Sequence, residues 1–189
     1  MLNSAYTTNL FVIKQLKNNL PRLVKKSFIY YDQTHIITTR SNLLALILFC
    51  KNHSLCLYKN LIDIIVYDVP GKNYRFCVIY ALKSYLYNTR LYIYTYTNES
   101  IWLPSLISLY KSANWQEREV FDLFGIYFKN HIDLRRILTD YGFFGFPFRK
   151  DFPVLGFLEY YYDERSKLIC SQPIETAAEF RIFNTEKSW

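Results

Sequence analysis

Leu10, Ile13, Leu16 and Leu20 recur at helical spacing, with Lys17 beside them, and Pro21 ends the run; a helix is predicted over the first twenty residues. SFIYYDQTHIITT then gives two short β-branched and aromatic runs around a polar Asp32-Gln33 turn. SNLLALILFCKN predicts a buried helix with Ser41 as its cap. Three strand-like segments follow, 61–69, 75–82 and 90–97, punctuated by Pro70-Gly71 and Asn88-Thr89. The gaps are too short for helical crossovers, so these strands are expected to pair antiparallel.

Two more helices are predicted. PSLISLYKSA (104–113) carries Pro104 in its first turn. In NWQEREVFDLFGIYF, Asn114 and Glu117 have the spacing of a capping box, and Gly125 stands where a left-handed C-cap belongs. Val120, Leu123 and Phe124 share its apolar face, while Arg118 and Asp122 form an i, i+4 pair on another. Beyond Gly125 the periodicity breaks. Pro147, Pro153, Pro173, Gly142, Gly145 and Gly156 cut the chain into extended pieces. Apolar anchors (Phe152, Phe157, Tyr160, Tyr162, Phe180, Phe183, Trp189) are strung along it. A long apolar but irregular segment is rare in a self-contained domain. The expected fold is α+β: a small, mainly antiparallel sheet with flanking helices in 1–125, then an irregular strap over 126–189 laid on something else.

Composition narrows the function. With 189 residues, 51% hydrophobic and 21% charged, the chain has the profile of a globular domain. Its 18 Tyr and 15 Phe fit either AT-rich codon usage, as in an organellar genome, or a tyrosine-rich interface. The longest uninterrupted apolar run, Leu43 to Cys50, is far short of the ~20 residues a membrane span needs. The N-terminus has neither the layout of a secretory signal nor an Arg before Arg22, so the chain is expected to work where it is made. Cys50, Cys56, Cys77 and Cys170 lack the short paired spacing of zinc or iron–sulfur ligands, and His35, His53 and His131 add none. No bound cofactor is expected. The net charge of +7 suits an anionic partner but is spread along the chain.

The most charged stretch sets Glu117, Arg118, Glu119 and Asp122 among apolar residues. Glu119 and Asp122 have no further ligand nearby for a metal, and Arg118 between the carboxylates would hold them ionised, against acid/base work. Two readings remain: a local salt-bridge network, or charges that fix register against a partner. The basic cluster Arg135, Arg136, Arg149 and Lys150 is the complement, within the chain or across to that partner. A rival of another class is a nucleic-acid module, with Tyr92, Tyr94 and Tyr96 on one strand face as stacking platforms.

NWQEREVFDLFGIYF, then HIDLRRILTDYGFFGFPFRKDFPVLGFLEYYYDE, then EFRIF resemble the 30 kDa subunit family of NADH:ubiquinone oxidoreductase (respiratory complex I), whose organellar form is called subunit 9. The likeness runs from about Ser105 to Trp189 and more loosely back to Asn60. It implies a core subunit of the peripheral arm, on the matrix side of the mitochondrial inner membrane or, in a bacterium, the cytoplasmic face of the plasma membrane. It implies a chain without a redox centre, beside the large subunit of the quinone cavity and the iron–sulfur subunits. NADH, FMN, iron–sulfur clusters and ubiquinone are then expected on other subunits. Glu117, Arg118, Glu119, Asp122, His131, Arg135, Arg136, Arg149, Lys150 and Asp151 fall on the family's signature and are expected at subunit interfaces. Ile132 stands where the family has proline and Phe146 where it has histidine. A related membrane-bound hydrogenase or plastid complex reuses the same scaffold.

Overall fold

The structure is a computed structural model that describes residues 4–175, with side chains from residue 10 onward. In chain order its elements are α1 (Ser4–Asn19), β1 (Lys26–Tyr30), β2 (Gln33–Ile37), α2 (Arg40–Asn52), β3 (Asn60–Asp68), β4 (Phe76–Ser84), β5 (Thr89–Thr97), β6 (Leu103–Pro104), α3 (Ala113–Phe124), β7 (Phe128–Lys129), β8 (Leu158–Asp163) and β9 (Leu168–Pro173). β1 to β5 form one sheet in the order β1-β2-β5-β4-β3. The neighbours β3/β4 and β4/β5 pair antiparallel, as expected, and so do β1/β2. β2 and β5 pair parallel, which makes the sheet mixed; α2 and the β3-β4 hairpin intervene between them in sequence. The fold is α+β.

All three helices lie on one side of this sheet. Val12 and Leu16 of α1, Leu43, Leu46 and Ile47 of α2, and Val120 and Leu123 of α3 form one cluster with Ile36, Ile64, Val78, Leu82, Leu91 and Ile93. These strand residues alternate with ones facing away, as the two-residue period of a strand requires. Removing this apolar surface from water is the main force holding helices to sheet.

Some local expectations are corrected. α1 buries Val12 and Leu16, whereas Leu10 stays half-exposed. The first hairpin turns at Tyr31 and Asp32, both at positive φ (45° and 55°), the pairing a two-residue hairpin turn needs. Thr39, not Ser41, is the N-cap of α2. The helix foreseen at 104–113 is absent. Leu103 N–H bonds to Tyr127 O at 2.9 Å and Ser105 N–H to Lys129 O at 3.0 Å, which locks this segment beside β7. Pro104, having no N–H, occupies the position between these two donors, so the ladder loses nothing. A single turn closed by Tyr110 N–H to Leu106 O (2.8 Å) is what remains of that helix. The segment after Gly125 holds a hairpin, β8/β9, that its proline and glycine content did not suggest.

Candidate functional site

Helix α3 organises the charged residues, but not by the pairs its sequence suggests. Its N-cap is Ser112 rather than Asn114, so the capping box does not form. Glu117 points inward instead and is fully buried. It accepts from Ser105 Oγ and from Leu106 N–H, both at 2.6 Å, and thereby fastens the loop after β6 to the helix. Burial outweighs these two bonds and pushes its carboxyl up to about 7. His131 Nε2 lies 3.9 Å from it. Asp133 N–H donates to His131 Nδ1 at 3.1 Å, so Nε2 carries the proton and donates to Asn114 O at 3.2 Å.

The expected Arg118–Asp122 pair does not form either. Arg118 turns to the loop, donating from Nε to Arg135 O at 3.2 Å, with its guanidinium over the Trp115 ring. Asp122 is the centre of a separate knot. Its Oδ2 accepts three successive backbone N–H groups, from Ile137 (3.1 Å), Leu138 (2.7 Å) and Thr139 (2.9 Å). Oδ1 takes Thr139 Oγ1 at 2.5 Å and Arg136 Nη1 at 2.9 Å. Burial alone would raise this carboxyl, but the bonds from Thr139, Leu138 and Arg136 together hold it down at about 2. One carboxylate thus folds a loop that has no regular structure of its own.

Arg136 extends the knot through Nη2 to Gly145 O at 3.0 Å. Its guanidinium lies over Phe146, and Arg149 packs against the same ring at 4.3 Å. Phe146 is therefore sandwiched between two guanidiniums. A neutral ring fits there, whereas a protonated histidine would face two like charges. Arg149 also donates from Nε to Phe124 O (2.7 Å) and pairs with Glu99 at 3.2 Å. Gly125, at φ +76°, ends α3 and lets Arg149 and Phe146 close in. A Cβ there would sit 2.5 Å from Arg149 Nη2.

A second anchor escaped the sequence reading. Arg75 forks onto Asp68 (both contacts 2.7 Å), onto Asp151 at 2.9 and 3.0 Å, and onto Glu99 at 2.8 Å. Lys150 N–H adds a bond to Asp68 Oδ2 at 2.9 Å. The Arg75 guanidinium lowers the Asp68 and Asp151 carboxyls. Alternating strand composition hides Asp68 and Arg75, and their partner Asp151 lies 76 residues from Arg75 in the chain.

Of the signature residues, Asp122, Arg136 and Arg149 come together around Phe146, Glu117 meets His131, and Asp151 meets Arg75. Glu119 and the Lys150 side chain point outward, and Arg135 makes an exposed pair with Asp133 at 3.0 Å. Ile132 is 85% exposed and touches no part of the knot.

Past Asp151 the character changes. Phe143, Phe152 and Phe157 pack on one another and line an apolar groove of about 280 Å³ with Leu155, Leu158 and Tyr160. The hairpin β8/β9 then projects with Tyr160, Tyr162, Leu168 and Ile169 each at least 60% exposed. The anchors Phe180, Phe183 and Trp189 lie outside the described residues, as does EFRIF. Among the described residues no three His, Cys, Asp or Glu side chains gather as a metal site, and no helix is long and apolar enough to cross a membrane.

Residues 36–157 match the family described as the respiratory-chain NADH dehydrogenase 30 kDa subunit. NADH-ubiquinone oxidoreductase subunit 9 of Reclinomonas americana is 43% identical over 169 residues, 89% of this chain and 83% of that one. NADH dehydrogenase [ubiquinone] iron-sulfur protein 3 of Candida albicans is 43% identical over 169 residues, which is 61% of its length. A chain in the structure of an archaeal membrane-bound sulfane sulfur reductase has the same fold, with TM-score 0.66 at 21% identity over 77% of this chain and 86% of that one. A cluster takes four thiolates, and the four cysteines lie on α2, the turn after it, β4 and β9. Burial raises the Cys56 thiol to about 11 and the Cys50 thiol well above its usual range, which keeps both protonated. The charge pattern around α3, the fold and these likenesses agree: the chain belongs to the 30 kDa subunit family of respiratory-chain NADH dehydrogenase.

Proposed function

We propose that this chain is a core subunit of the peripheral arm of a proton-pumping NADH:ubiquinone oxidoreductase, on the matrix side of the mitochondrial inner membrane. It carries no catalytic residue and no cofactor of its own. NADH, FMN, the iron–sulfur clusters and ubiquinone sit on other subunits. The sheet, its helices and the segment 126–152 tied to them supply the body, and the β8/β9 hairpin reaches over the quinone-site large subunit and its iron–sulfur neighbours. The observation that carries this reading is the β8/β9 hairpin. A lone two-stranded hairpin is marginally stable in water, yet this one turns its tyrosines and aliphatic side chains outward. Burial against partners supplies what the hairpin lacks.

The test separates assembly from turnover. Tyr160→Ser with Tyr162→Ser should lower the amount of assembled complex on native gels several-fold. Quinone reduction per assembled complex should stay near the parent value. Normal assembly with collapsed quinone reduction would contradict the proposal.

A further inference from the structure

Among the described residues the side of the main sheet that faces away from the helices bears no helix, yet it is not a polar surface. Register places Phe28, His35 and Tyr92 in one row across β1, β2 and β5. Tyr94, Ile79 and Ile65 form the next row, and Tyr96, Cys77 and Tyr67 the third. Phe28, Ile65 and Tyr67 are each 43–44% exposed. A sheet with one apolar face buried and a second apolar face open calls for another layer.

The rings indicate what kind of layer. His35 stacks on Phe28 at 5.0 Å and 4°, and on Tyr92 at 5.0 Å and 13°. That spacing is the distance between neighbouring strands, ~4.8 Å. The three rings therefore stand up from the sheet with faces turned to one another and edges outward. Base stacking needs ring faces that a base can lie on, and the face of Tyr92 is already taken by His35. Outward edges and aliphatic groups suit the apolar side chains of another protein.

Charge narrows the partner further. Lys26, Lys83 and Arg90 lie on this same face by register and alternation, with Asp63 as the carboxylate among them. None of the three cations has a carboxylate partner among the described residues. Three strands of nine residues and two of five give a face of roughly 600 Å². A standard interface takes ~800 Å² per partner, so one protein surface would cover the whole face.

From these features, and resting on the reading of the chain as a subunit, we infer that the open sheet face docks an amphipathic, acid-flanked helical surface of another subunit. Its apolar stripe covers Ile65, Tyr67, Ile79 and Tyr94, and its carboxylates meet Lys26, Lys83 and Arg90.

Hydroxyl-radical footprinting of the isolated full chain and of the native complex tests this. Oxidation of Phe28, Ile65 and Tyr67 should fall at least tenfold in the complex. Carbodiimide treatment of the complex should join Lys26 or Lys83 to an Asp or Glu of a different subunit. Oxidation within twofold in the two states would overturn the inference. So would protection that a nuclease removes, or coupling to a second copy of this chain. If the chain enters no large membrane complex, the subunit reading itself falls. If it enters one and the face still reacts as in the isolated chain, the docking inference alone falls.

Discussion

The segment 126–152 and the hairpin β8/β9 are both rich in aromatic and charged residues, yet they are held in opposite ways. The first is sewn to its own domain by Asp122, Arg149, and the Arg75–Asp151 pair, with Arg136, Arg149 and Asp151 each answered inside the chain. The second is held mainly by its own ladder, with Leu158 and Tyr160 at the rim of the groove, and among the described residues it leaves most of its large side chains in solvent. A buried carboxylate that collects five donors fixes a loop without regular structure. Exposed tyrosines on an unsupported hairpin fix nothing until a partner arrives. The same residue types serve internal closure in one region and external docking in the other.

Asp122→Ala is expected to have the largest effect. It strands Arg136 and three backbone N–H groups, and breaking a buried pair by removing one partner costs ~3–5 kcal/mol. For a chain of this size that lowers Tm by about 10 °C. A melting curve within ~2 °C of the parent would dissolve the contrast between the two regions. Acid should act on the same knot, because the Asp122 carboxyl is depressed on folding. Its contribution is complete above its ordinary 3.8 and is lost as pH falls towards 2.

Glu117 gives the next largest effect, with the opposite sign. Its carboxyl is raised on folding, so the folded chain binds the proton more tightly than the unfolded one. Stability is greatest below its ordinary 4.5 and declines as pH rises to about 7, by about 3 kcal/mol in all. Glu117→Gln should flatten denaturant midpoints across that window. A variant that keeps the parent's slope would show that the titration lies elsewhere.

Arg118→Ala removes one charge-assisted bond and one ring contact, about 2 kcal/mol together. Arg118 holds Arg135 O and Asp122 holds the next four residues of the same loop, so the two effects should couple by ~0.5 kcal/mol or more in a double-mutant cycle. Strict additivity would show that the two side chains hold the loop independently. The smallest effect on the isolated chain belongs to the hairpin. Tyr160→Ser with Tyr162→Ser should change its stability by no more than ~0.5 kcal/mol. A larger loss would mean that these tyrosines pack on their own domain.

Legibility followed sequence distance. α2, the strands β3 to β5 and the left-handed stop at Gly125 were readable because period, turn residues and caps are local signals. The 104–113 segment was misread because its backbone is claimed by Phe128 and its neighbours, more than twenty residues on. The parallel β2/β5 pairing is equally non-local. Around α3 the partners of the charged residues were not legible from the sequence. Arg118 and Asp122 stand at ideal helical spacing, but a loop offering Arg136 and three N–H groups at once outcompetes a surface pair worth ~0–1 kcal/mol. Arg75 and Asp68 were passed over because single charges at strand ends carry no periodic signal.

Limited proteolysis tests the central contrast most directly. The isolated chain, given a low dose of protease, should be cut within β8/β9 or just beyond, around Arg165 and Lys167, and stay intact from residue 126 to 152. In the native complex the same sites should resist. Equal resistance of the hairpin in both states, or first cleavage inside 126–152, would contradict the account.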